Sequence, residues 1–170
     1  MIKKLAKIQK ISMGILQLFT SMDKGFSKVE PNITQLKKFR CICYEESEKL
    51  LITVSHLFSD QTFMKLRQEP SHPVSFDKIH RQRISQHLMN IRYAANEGLD
   101  AIENFIDEYQ SLEKSNYAID ALEKFKNLLE RDIQFLEQEI NNIRMQFILS
   151  DRKESLEDSV EDYQPEDSRK

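Results

Sequence analysis

Apolar positions recur along this chain at helical spacing, most regularly between Ile84 and Phe147. Ile84, Leu88, Ile91, Ala95, Gly98, Ile102, Phe105, Tyr109 and Leu112 alternate steps of four and three. After a break from Glu113 to Ala118 the pattern resumes with Ile119, Leu122, Lys126, Leu129, Ile133, Leu136, Ile140, Ile143 and Phe147, interrupted only by Lys126. A seam repeating every 3.5 residues signals coiled-coil-like packing. The short break contains Ser115 and Asn116, residues suited to turns, and so predicts antiparallel neighbours. Folding there pairs residues whose numbers sum to 231, which sets Ile102 against Leu129 and places Ala95 and Gly98 opposite Leu136 and Ile133. Small residues then face large ones, as interdigitating layers require.

A second, less regular hairpin precedes this one. Ile8, Ile11, Ile15, Leu18 and Met22 mark a basic amphipathic helix over residues 1–22, with Gly25 expected to end it. Glu30 and Pro31 open the next helix, which runs to about Ser59 with Ile33, Leu36, Phe39, Cys43, Ser47, Leu50, Val54 and Leu57 inward. The two helices pair at a sum of 58, setting Met22 against Leu36. Pro70 and Pro73 interrupt the helical pattern between Asp60 and Ser75, where Phe63, Met64 and Leu66 are expected to cap the end of the bundle.

The predicted fold is all-α, an antiparallel four-helix bundle made of two helical hairpins within a single helical domain, 1–149. Its parts are a hairpin over 1–59, a proline-containing connector over 60–75 and a long coiled-coil-like hairpin over 76–149. Beyond Ser150, Leu156, Val160 and Tyr163 are too few apolar residues to offset the entropy of ordering, so residues 150–170 are expected to form a disordered acidic tail. A fourth helix ending near Leu149 is roughly 50 Å long at 1.5 Å per residue, so the second hairpin projects beyond the first. Its outer end, where Ile84 is expected to meet Phe147, then calls for a partner.

Composition narrows the class. Three glycines and four prolines in 170 residues leave little room for a turn-rich β fold, and no run of 18 apolar residues predicts a membrane span. Cys41 and Cys43, two apart on a helix, point in different directions and suit neither a disulfide nor a metal site, which favours a reducing, cytoplasmic setting. The net charge of -3 hides a gradient: residues 1–67 hold twelve Lys and Arg against six Asp and Glu, whereas residues 101–150 hold five against ten. The plain reading is that the two halves dock on each other.

Candidate chemistry is concentrated in His80-Arg-Gln-Arg-Ile-Ser-Gln-His87. Arg81 and His87 stand at the spacing that resembles the arginine and histidine motif of helical HEPN-type ribonucleases, although the polar residue usually found directly after the arginine is lacking unless Gln82 substitutes for it. The resemblance covers seven residues. It implies that arginine and histidine act on an RNA phosphodiester, usually across a dimer, with histidine as acid or base. His80 and His87 share a helical face with Asp77 nearby, but a dimetal bundle needs carboxylates from several helices. No metal site is therefore expected. Glycine-rich phosphate loops, Cys-x-x-Cys and dinucleotide fingerprints are missing, and no cofactor is implied.

The expected function is that of a non-enzymatic helical interaction or assembly subunit, acting through helix faces in a homo- or hetero-oligomeric complex. Leu99 and Ile106 beside the third helix's seam, and Phe125 and Leu128 beside the fourth's, are the predicted contacts, either with the first hairpin or with a partner. The ribonuclease using Arg81 and His87 is one alternative. A nucleic-acid-binding module is another, using Lys3, Lys4, Lys7, Lys10, Lys37, Lys38 and Arg40 as a basic stripe. Membrane-surface contact by the helix over 1–22 is a lesser one.

Overall fold

The computed structural model describes residues 1–28, 30–59, 76–110 and 116–161, without the side chains of 76–79, 147 and 149–161. Four helices account for almost all of them: α1 (Ile2–Phe26), α2 (Ile33–Phe58), α3 (Phe76–Gln110) and α4 (Tyr117–Glu161). The connector expected over 60–75 lies outside the described residues, as does most of the turn after Gln110. Among the described residues no helix is long and apolar enough to cross a membrane.

Local chemistry sets the helix ends. Asn32 caps α2 by accepting a hydrogen bond from the Gln35 N–H at 3.0 Å, so the cap follows the Glu30-Pro31 start expected from sequence. Gly25 does not end α1, which continues to Phe26. It instead lets α2 approach, since a Cβ there would stand 3.1 Å from Leu36 Cδ2. Nor does α4 stop near Leu149. No glycine or proline intervenes before Pro165, and Arg152, Lys153, Glu154, Leu156 and Glu157 all favour helix, so the backbone stays helical to Glu161. Helix thus covers the first part of the stretch expected as a disordered tail, and residues 162–170 lie outside the described ones.

The helices run up, down, up and down. α1 and α3 are parallel and meet across the middle, where the Phe26 ring stacks on Phe105 at 3.7 Å and the Phe19 ring lies against Gly98. α2 packs on α1 and α3, and α4 packs on α3 and α1. The core stripe of α1 is Leu5, Ile8, Ser12, Ile15, Phe19, Met22 and Phe26, with Ile11 and Leu18 only half-buried beside it. Phe19 is thus central although the expected stripe omitted it, because a helix with neighbours on two sides buries a wider face than a single seam. Ser12 is tolerated there because its hydroxyl donates to the Ile8 carbonyl at 2.8 Å.

The expected seams of α3 and α4 are the buried ones from Ile84 to Phe105 and from Leu122 to Ile143, apart from Lys126, while Tyr109 stays 37% exposed. Lys126 is no defect, since its ammonium donates to Asp23 of α1 at 2.5 Å. Their register is the main correction. The side-chain pairs His80 with Glu139 and His87 with Asp132 both sum to 219 rather than 231, which moves α4 about three turns along α3. Gly98 accordingly faces Phe19 rather than Ile133.

Candidate functional site

Besides Lys126 with Asp23, the polar side chains that the fold brings together between helices lie along the junction of α3 and α4. His80 and His87 are seven residues apart, as are Asp132 and Glu139, so two antiparallel helices can match both pairs at once. His80 Nδ1 bonds Glu139 Oε2, and both side chains are buried. Arg83 approaches the other oxygen of Glu139 at 3.8 Å from an exposed position.

One heptad along, His87 Nδ1 stands 2.9 Å from Asp132 Oδ1, and Asn90 Nδ2 donates to that same oxygen at 3.0 Å. Arg131 Nη2 donates to Asp132 Oδ2 at 3.0 Å. Burial alone would push the Asp132 carboxyl up, but the hydrogen bonds from Asn90, His87 and Arg131, with the charge of Arg131, outweigh it. The carboxyl is held below the usual carboxylate range. His87 is also stacked on Phe135 with ring centroids 5.1 Å apart, and Phe135 remains 42% exposed.

Arg81 and His87 do not share this site. Six residues apart on one helix, they stand about 120° around its axis from each other. Arg81 lies three turns before Arg92 on the same face, and Arg92 lines a small groove against Tyr44, Ser47 and Glu48 of α2. The Arg81 Nη1 is buried with no hydrogen-bond partner among the described residues.

Leu99, Ile106 and Phe125 are buried within the bundle. Phe125 meets Tyr93 edge-on at 5.7 Å, and Leu128 is half-buried against the same core. Leu99 lies beside Tyr44, Leu50 and Leu51 of α2, whereas the ring contact of Phe125 is with α3 of its own hairpin. The lysines fall into two groups rather than one stripe. Gly25 meets Leu36 across α1 and α2, so Lys37, Lys38 and Arg40 lie beside the end of α1, far along the hairpin from Lys3, Lys4, Lys7 and Lys10.

Sequence reasoning missed Asp132 and Glu139 as partners of the histidines. The signal was present as two carboxylates at the histidines' own spacing of seven, but the expected register set His80 and His87 against other residues. Among the described residues no group of three or more His, Cys, Asp or Glu is placed to hold a metal ion. The two cysteines part as expected: Cys41 is exposed, whereas Cys43 is buried, and burial pushes its thiol up to about 12.

The class this defines is an up-down-up-down four-helix bundle with a polar ladder between its last two helices. Compared with family models, curated proteins and solved structures, the chain matches none.

Proposed function

We propose that the chain is a non-enzymatic helical assembly subunit acting through its helix faces in a homo- or hetero-oligomeric complex. The observation that carries this reading is at the far end of α4. Ile143 is the last buried residue described there, and beyond it Met145 is 57% and Ile148 48% exposed. Met145 and Ile148 stand one helical turn apart, so one partner helix could cover both. The histidines, by contrast, are engaged inside the bundle by Glu139 and Asp132.

That engagement, with Arg81 on a different face from His87, favours assembly over the ribonuclease reading. Separation of the lysines into two groups likewise favours it over a continuous nucleic-acid stripe.

The test is affinity purification of the tagged full-length chain, with light scattering for self-association, comparing wild type with the Met145→Glu, Ile148→Glu double variant. A defined partner or oligomer that the variant loses while its melting curve is unchanged supports assembly. Retention of every partner and of the same mass by the variant removes it.

A further inference from the structure

A cavity of about 270 Å³ opens on the outer face of the first hairpin, at the opposite end of the bundle from Met145 and Ile148. It lies beside the close approach of Gly25 to Leu36, between two rows at helical spacing. Ser21, Lys24 and Lys28 make one row, and Asn32, Gln35 and Phe39 make the other. None of the lining comes from α3 or α4, so the cavity faces away from the second hairpin.

The lining divides by chemistry. Leu36 and Phe39 form an apolar floor, and Phe39 is only partly buried. Around this floor stand two ammonium groups, the Ser21 hydroxyl and the Gln35 amide. The Asn32 side-chain oxygen is already committed to the Gln35 N–H, which leaves its amide group to donate. Lys38, three residues after Gln35, brings a third ammonium to the same exposed face. The rim is thus rich in donors and holds no carboxylate.

Nothing within the chain balances this charge. Residues 24–40 hold five Lys and Arg against Glu30 alone, and Asp23 is held by Lys126 of α4. Lys24, Lys28 and Lys38 are exposed and make no ion pair among the described residues. The dipole of α1 accounts for Lys24, which stands in its last turn. It does not account for Lys28 and Lys38, which flank the start of α2, where cations are disfavoured and no acidic residue stands in the first turn.

The segments outside the described residues do not reach the cavity, whatever their course. Residues 60–75 join α2 to α3 at the opposite end, and Leu36 lies about 33 Å along α2 from Phe58. Sixteen residues running out and back extend only about 26 Å. Residues 162–170 follow Glu161, about 66 Å along α4 from Tyr117 at the cavity's end of the bundle, and nine residues span about 30 Å. Residues 111–115 join α3 to α4, across the bundle from the cavity.

The volume falls just below the range of about 300–1,000 Å³ typical of drug-sized ligands, and so suits a single ring with one head group. Three lysines match a doubly charged phosphate better than a carboxylate. We infer that this cavity binds a small phosphomonoester with an apolar, ring-sized body, its phosphate among Lys24, Lys28 and Lys38 and its ring on Leu36 and Phe39. The inference goes beyond the assembly reading and stands or falls separately from it.

The experiment titrates phenyl phosphate into the isotope-labelled full-length chain and follows the amide resonances. Saturating shifts are expected within residues 21–28 and 32–39, with an affinity about tenfold or more above that for inorganic phosphate or for phenol, since each lacks one half of the contact. Lys24→Gln, Lys28→Gln should weaken binding about tenfold or more. Lys3→Gln, Lys7→Gln removes equal charge from exposed positions at the other end of α1 and should leave binding within about twofold. Ser21→Leu fills part of the cavity without changing charge, and should weaken phenyl phosphate but not inorganic phosphate. Circular dichroism checks that each variant remains helical. Tighter binding of a short phosphotyrosine peptide than of phenyl phosphate would identify a protein side chain as the source of the ligand, and equal or weaker binding a free metabolite. Shifts that do not saturate or that centre outside the two stretches, equal affinity for phosphate or phenol, or equal weakening by the two lysine pairs each overturn the inference.

Discussion

Gly98 shows how much one absent side chain decides. A Cβ at this position would lie 2.3 Å from Cε2 and 2.4 Å from Cζ of Phe19, whose ring is fully enclosed in the core. Gly98→Ala gains about 1 kcal/mol in helix propensity, against overpacking that costs about 1–3 kcal/mol. Denaturant titration should therefore show net destabilisation. Gly14 is the internal control, since nothing lies within 4 Å of a Cβ there. Gly14→Ala should stabilise by about 0.5–1 kcal/mol.

Asp132 makes the corresponding case for charge. Its folded carboxyl titrates below the usual range, so the unfolded chain takes up a proton first as pH falls. The stabilisation is fully present above the unfolded value of about 3.9 and is lost as pH drops through the lower folded value. Asp132→Asn should consequently lower stability near neutrality and flatten the acid limb of a stability against pH curve. Superimposable acid limbs for variant and wild type would refute this role.

At the scale of whole helices, the ladder between α3 and α4 explains why one register is chosen. A seam that repeats every 3.5 residues matches itself again after each shift of a heptad, so apolar burial discriminates weakly among alignments. His80 with Glu139 and His87 with Asp132 discriminate strongly, because a shift of one heptad leaves one member of each set without its partner, and an unpaired buried charge is costly. Breaking one pair by His80→Leu or Glu139→Leu should each cost about 3 kcal/mol, and the double replacement much less than their sum. Replacing both pairs with leucine should keep the bundle folded but broaden the distance distribution between spin labels on α3 and α4. A single sharp distance would show that the register is set elsewhere.

The same reasoning explains what the sequence could tell. Helix positions, antiparallel order and most of the core follow from local periodicity, as the burial of Ile84 to Phe105 and of Leu122 to Ile143, apart from Lys126, bears out. Register depends on which distant side chains meet, and periodicity carries no such information. The expected sum of 231 therefore failed, and with it the view of which residues face His80 and His87. Phe19 was likewise hidden, since its partner is a glycine on a helix nearly eighty residues away.

For the whole molecule, the buried core and the proposed contact surface occupy different parts of α4, which makes them separable. Ile143 is the last buried residue described on that helix, and the acidic stretch begins at Asp151. A surface helix contributes little to global stability on its own. A chain ending at Ser150 should therefore keep its fold, with a melting midpoint within a few degrees of full length at a concentration where both are monomeric, since about 1 kcal/mol corresponds to roughly 2–4 °C in a domain of this size. A shortened chain that melts well below full length at every concentration would show that the extension packs on its own core.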